Sequence, residues 1–268
     1  MESYHERLRL ATGRLGALCA GIDPHPGLLA QWGLPNDAAG VERFALTVVE
    51  ALADTVAVVK PQSALFEAQG SAGVAALERT IAAAREAGLL VIVDAKRGDI
   101  GSTMAAYAEA YLGGGPLSGD AVTLSPYLGF GSLAPALDAA RRTGRGVYVL
   151  ARTSNPEGAC LQSAVTATGE TVAQSIVDAA TAANQEGVEG VAGLVVGATH
   201  ATTGLDLGGF AGSILAPGVG AQGGTMAGVR ALFGDSPALV LPSASREILS
   251  AGPDPALLRD AARRLLGA

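Results

Sequence analysis

Eight short apolar or β-branched runs recur along the chain, at 18–23, 56–61, 89–96, 120–126, 146–153, 191–198, 213–218 and 238–243. Most of them end in Gly, Pro, Ser or a charged residue. The segments between them carry helical periodicity. Val41, Phe44, Ala45, Val48, Val49 and Leu52 follow the i, i+3, i+4, i+7 spacing of one buried helix face, and Val74, Leu77, Ile81 and Ala84 repeat it after the second run. The stretch Pro255–Leu266 closes the chain in the same way, with Leu257, Leu258, Ala261 and Leu265 expected inward and Arg259, Arg263 and Arg264 toward solvent. Strands that alternate with helices pair in parallel through right-handed crossovers. Eight such units in 268 residues fit a single-domain α/β fold, a (β/α)8 TIM barrel spanning 1–268. An open doubly wound sheet would carry a glycine-rich dinucleotide turn after its first strand, and that turn here reads "GIDPHPG".

Composition removes several function classes. A net charge of −7 argues against nucleic acid as a partner, which would call for a basic surface. The two cysteines, Cys19 and Cys160, form no CxxC pair, so a reducing compartment and no structural zinc are expected. No apolar run approaches the ~18 residues of a membrane span, and "MESYHERLRL" lacks a signal-peptide core. The expectation is a cytoplasmic protein with no membrane partner.

Barrels of this kind keep their chemistry at the C-terminal ends of the strands. Those ends supply Asp23, Lys60, Asp94 with Lys96, Ser125, Arg152, Pro217-Gly218 and Ser245-Arg246. Of 18 basic residues only Lys60 and Lys96 are lysines, and both fall at this rim. In "VIVDAKRGDI" (91–100) Asp94 and Lys96 are two apart and share a strand face, while Val93 and Ala95 take the other. Lys60 ends the neighbouring strand, ~4.8 Å away if the two pair. Charges of alternating sign therefore meet at the barrel mouth. They form either a salt-bridge ladder or a catalytic array. Neighbouring carboxylates favour an ammonium at Lys96, which suits proton donation better than Schiff-base chemistry. No metal is expected. His5, His25 and His200 are scattered without HxH or HExxH spacing, and an ammonium beside Asp94 would take a cation's place. After the last two strands come "APGVGAQGGT" (216–225) and "LPSASREIL" (241–249). Glycines that let backbone N–H groups approach an anion, with Arg246 near a helix start, point to a phosphate site.

The segment "DAKRGDI" followed by Thr103 resembles the DxKxxDI…T signature of the orotidine 5′-monophosphate decarboxylase family. "VAVVKPQSALFE" (56–67), "TLSPYLG" (123–129), "LARTSNPEG" (150–158), "LAPGVGAQGG" (215–224) and "SASREI" (243–248) resemble its longer bacterial branch, in order, from Gly21 to Ile248. The resemblance implies decarboxylation of a small nucleotide, orotidine 5′-monophosphate, to UMP in pyrimidine biosynthesis, with no cofactor. It implies Lys96 as proton donor to C6, Asp94 near the departing carboxylate, and Lys60 holding Asp94 and the ribose. Asp23 would bind ribose hydroxyls and Ser125 the base. Gln222 would reach phosphate and base, and Arg246, with Pro217, Gly218 and Ser245 around it, the phosphate. Asp99, Ile100 and Thr103 would enter the partner's site in a homodimer. One departure stands out: shorter members carry an arginine in the seventh loop where this chain has Gly218-Val219-Gly220. Phosphate binding would then rest on backbone N–H groups and Arg246. The role of 152–158 stays open between structure and substrate contact. A Mg²⁺-dependent sugar-phosphate decarboxylase of the 3-keto-L-gulonate 6-phosphate type and a non-catalytic nucleotide binder are the competing readings.

Overall fold

The computed structural model describes residues 2–187, 190–234 and 236–267. Eight strands form a closed, all-parallel barrel: β1 (Cys19–Ile22), β2 (Val58–Pro61), β3 (Leu90–Arg97), β4 (Ala121–Leu124), β5 (Gly146–Arg152), β6 (Ala192–Val196), β7 (Ser213–Val219) and β8 (Leu239–Ala244). β8 closes on β1 through Cys19↔Ser243 and Ala20↔Ala244. All eight lie within a few residues of the apolar runs, and the single (β/α)8 architecture is the one the alternation implies.

Side chains sort into two apolar layers because successive strand residues face opposite ways. Cys19, Val58, Ile92, Ala121, Tyr148, Val195, Leu215 and Leu241 fill the barrel interior. Their neighbours, including Ala20, Val59, Val91, Val93, Val122 and Val149, pack outward against the helices Ala38–Leu52, Gly70–Glu86 and Pro255–Leu266. In the last of these, Leu258, Ala261 and Ala262 are buried, whereas Leu257 is 52% exposed and does not face inward as expected. A stripe through 258, 261, 262 and 265 is already complete, and Leu257 lies one step, about 100°, off it.

Two features escaped the periodicity. The helix Tyr4–Leu15 plugs the N-terminal end of the barrel, placing Tyr4 and Leu8 against the interior layer. The Tyr4 and Tyr148 hydroxyls lie 3.1 Å apart, and Arg7 pairs with Asp120. Its signal was the cap Ser3, whose Oγ accepts from Glu6 N, three residues before an acidic N3 position. The connection from β6 to β7 holds no helix; buried Leu207 and Phe210 cover the barrel there instead. Among the described residues no helix is long and apolar enough to cross a membrane.

At the C-terminal end of β3 the regular ladder lapses. β2 and β3 pair at Val58↔Leu90 and Val59↔Val91, and then meet again only at the isolated bridge Gln62↔Asp94. Pro61 has no N–H to give between them. On the other side β3 pairs with β4 up to Val93↔Val122, shifts register, and resumes at Arg97↔Leu124. Within this gap Lys96 takes φ +47°, a left-handed backbone rare outside glycine.

Candidate active site

The gap in the ladder is where the charges meet. Lys60 Nζ donates to Asp94 Oδ2 at 2.7 Å, and Lys96 Nζ donates to Asp94 Oδ1 at 2.6 Å. Thr123 Oγ1 donates to the same Oδ1 at 2.8 Å and accepts from Lys96 N at 2.9 Å. The carboxylate is therefore held on both oxygens and cannot turn. Burial by itself raises the Asp94 pKa, but Lys60 and Lys96 overcome it and hold the carboxyl well below the usual range. Burial likewise lowers the Lys60 pKa, and Asp94 and Asp23 more than reverse it, so the ammonium is held charged. Lys60 and Asp94 side chains are each 8% exposed, whereas Lys96 is 45% exposed. One ammonium is locked inside the array and the other reaches out of it.

Lys96 projects into a cavity of about 890 Å³ at the barrel mouth, lined also by Asp23, Lys60, Asp94, Ser125, Pro217, Gly218, Gln222, Ser245 and Arg246. Strand-end residues more than 200 positions apart in sequence thus share one pocket. Asp23 Oδ1 is buried there and takes no hydrogen bond from the protein, which leaves it free to accept one from a ligand hydroxyl. Leu150, Val195 and Leu215 give the pocket an apolar floor.

Three expected site residues do not line this cavity. Asp99 Oδ1 accepts from Ile100 N at 2.8 Å, Ile100 is 61% exposed, and Thr103 is exposed at the start of the helix Gly101–Ala108. All three lie on the outer rim of their own chain.

The seventh loop is a tight turn, with Gly218, Gly220 and Gly223 at positive φ. Gly220 N donates to Gly224 O, Gly223 N to Gly220 O and Gly224 N to Gly218 O, at 2.7–3.0 Å. The expectation that backbone N–H groups serve a phosphate narrows accordingly, because these three are spent inside the loop. Ala221 and Gln222 stand at its exposed tip, on the cavity. A Cβ on Gly220 would meet Glu247 Cβ at 2.8 Å, so the seventh loop packs directly on the residue after Arg246. The open question over 152–158 divides by residue. Arg152 Nη1 donates to Ser163 Oγ at 2.5 Å and does not line the cavity, while Thr153, Ser154, Asn155 and Gly158 do. Gln162 braces this segment from both sides of Thr153.

Among the residues the sequence reading passed over, Thr123 matters most, because it touches both Asp94 and Lys96. Its signal was parity: it lies two residues before Ser125 and shares that strand face. Among the described residues no cluster of three His, Cys, Asp or Glu side chains is placed to hold a metal ion.

Fold and site together define a (β/α)8 barrel enzyme that concentrates fixed positive charge at the C-terminal mouth of the barrel. The chain belongs to the orotidine 5′-phosphate decarboxylase / HUMPS family, whose model matches residues 16–261. It is 60% identical to the orotidine 5′-phosphate decarboxylase of Salinispora arenicola, over 99% of this chain and 96% of that protein. With the enzyme of Streptomyces coelicolor it shares 56% identity, over 98% and 96% of the two chains. A solved structure from Streptomyces avermitilis matches with a TM-score of 0.95 and 53% identity, covering 100% of this chain and 94% of that one.

Proposed function

We propose that Lys96 is the proton donor in the decarboxylation of orotidine 5′-monophosphate to UMP, with Asp94, Lys60 and Thr123 holding it in place. The observation that carries this reading is the asymmetry of the array. Asp94 is fixed by three donors, and of its two ammonium partners, both at the cavity, Lys60 is 8% exposed whereas Lys96 is 45% exposed and open to a ligand.

The chemistry needs such a group. Loss of CO₂ leaves the electron pair of the broken C6–carboxylate bond in the ring plane, where the π system cannot delocalise it. Stabilisation must come from charge placed beside C6 in advance, and an oriented ammonium in a pocket with an apolar floor supplies it. The pair then takes a proton from Nζ, giving the C6–H bond of UMP and a neutral amine that solvent reprotonates. Lys60 and Asp94 stay ionised throughout, so the array needs no rearrangement during turnover.

The remaining assignments are those the family resemblance implies, and they are supported by each group's opening onto the cavity. Asp23, with its uncommitted buried oxygen, accepts from ribose hydroxyls. Ser125 contacts the base, and Gln222 spans base and phosphate. Arg246 holds the phosphate beside Pro217, Gly218 and Ser245, the rim where such barrels grip phosphate groups. Phosphate binding far from C6 orders the loops and contributes to transition-state stabilisation. Asp99, Ile100 and Thr103 serve the neighbouring subunit of a homodimer. Their outward position supports this, as does exposed apolar surface at the same rim, with Ile100 at 61%, Tyr127 at 77% and Leu128 at 52%. The two cysteines are unpaired, in keeping with the cytoplasm.

Lys96→Ala tests the central assignment. Turnover should be lost while UMP binding and thermal stability persist. Near-normal turnover in the folded variant would refute it.

A further inference from the structure

The peptide between Ala95 and Lys96 is gripped at both ends. From inside the barrel, its N–H donates to Thr123 Oγ1 at 2.9 Å. From outside, its carbonyl, Ala95 O, accepts from Arg97 Nη1 at 3.2 Å. This peptide precedes the Lys96 φ of +47°, and it lies where β3 has left the ladder on both sides. Backbone hydrogen bonds therefore do not hold it, and side chains do.

Arg97 is built into its place. Its other arm, Nη2, pairs with Glu67 and meets Tyr111 Oη at 3.1 Å. The guanidinium carbon lies 5.6 Å from the Tyr107 ring centroid and 5.7 Å from that of Tyr111. Tyr111 sits in a π-helical turn, Glu109–Gly113, a wider winding that often marks functional segments. Glu67 ends the helix Ser63–Glu67, which follows β2 and its Lys60 directly, and it also accepts from Ser63 Oγ at 2.5 Å. The outer brace thus ties the strand of Lys60 to the strand of Lys96, on the opposite face of the sheet from Asp94.

We infer that Arg97 is a positioning residue: it fixes the Ala95–Lys96 peptide from outside the barrel and so aims the Lys96 ammonium at the cavity. The inference rests on the assignment of Lys96 as proton donor. The peptide bears on Lys96 and not on Arg246 or Asp23, so its release acts on turnover and spares ground-state binding.

The test compares Arg97→Met and Arg97→Lys with the wild type, measuring kcat, KM, UMP binding and melting temperature. Arg79→Met, which removes an exposed ion pair with Glu42 between two outer helices, serves as control. Arg97→Lys keeps a charge opposite Glu67 but cannot also hold Ala95 O. It should melt close to the wild type, yet lose at least tenfold in kcat, with KM and UMP affinity within threefold. Arg97→Met should show the same loss of kcat, and Arg79→Met none. Two results would overturn the role: a kcat within twofold of wild type in folded Arg97→Lys, or a loss matched by an equal loss of UMP-binding sites. If Lys96→Ala is inactive while Arg97→Lys is fully active, only the positioning role falls. An active Lys96→Ala removes the assignment beneath it.

Discussion

Asp94→Asn keeps the side-chain shape and removes one charge from the centre of the array. Two ammonium groups then lose a counterion, unequally. Lys96 is 45% exposed and solvent screens it, whereas the Lys60 side chain is 8% exposed and carries nearly all of the cost. Breaking a buried pair from one side costs about 3–5 kcal/mol, and the remaining field of Asp23 at Lys60 places this case near about 3 kcal/mol. Equilibrium urea unfolding at pH 7 measures it. The pH dependence sharpens the test. In the wild type, the raised Lys60 pKa keeps that group protonated in both states until about pH 10, so it gives no slope below that. In the variant, burial acts with less opposition and the folded pKa falls below the unfolded one. Wherever folded Lys60 has lost its proton and the unfolded chain has kept it, stability rises by up to about 1.4 kcal/mol per pH unit. The gap between the two proteins should therefore narrow from pH 7 to 9.5. It should also narrow in acid, because the depressed Asp94 pKa gives stability that is present above the ordinary carboxylate range and lost as pH falls through the folded value. A variant within about 0.5 kcal/mol of wild type at pH 7, or a gap that stays constant with pH, would refute the reasoning.

Arg246→Ala removes charge-assisted contacts worth about 1.5–3 kcal/mol, so KM for the nucleotide should rise by roughly 10- to 150-fold with a smaller change in kcat; an unchanged KM takes the phosphate away from this loop. Refolding a mixture of Lys96→Ala and Asp99→Ala chains should restore activity to about a quarter of wild type, because random two-fold pairing rebuilds one complete site per heterodimer. No recovery, with heterodimers shown to form, would return Asp99 to its own subunit's site. Activity should survive EDTA, since both Asp94 oxygens already carry ammonium donors; loss on chelation and recovery with Mg²⁺ would favour the sugar-phosphate reading.

The barrel was legible in the chain because its determinants are local and periodic. Each strand is a run of apolar residues, each helix a repeating stripe, and parity alone put Asp94 and Lys96 on one face. The charged ends of the strands marked the mouth, and the cavity gathers all of them but Arg152, as the fold class requires. Leu257 shows the limit of that logic, since a stripe can be one residue too wide until packing trims it. The expected meeting of Lys60 and Asp94 is present too, and what lay beyond the sequence was the finer contact geometry, between strands and within loops alike. Thr123 reaches Asp94 only because β4 lies beside β3, and the N–H groups of Gly220, Gly223 and Gly224 are spent only because the seventh loop folds back on itself. The helixless crossover from β6 to β7 could not be read from period either, because Leu207 and Phe210 do a helix's covering by position alone. The left-handed turn at Lys96 is the clearest case. No local preference asks for it in a lysine, and it persists because Thr123 and Arg97, on neighbouring strand and same strand, hold the two ends of one peptide. Sequence sets which groups are present and which face they take, and tertiary structure decides which of them are close enough to act on one another.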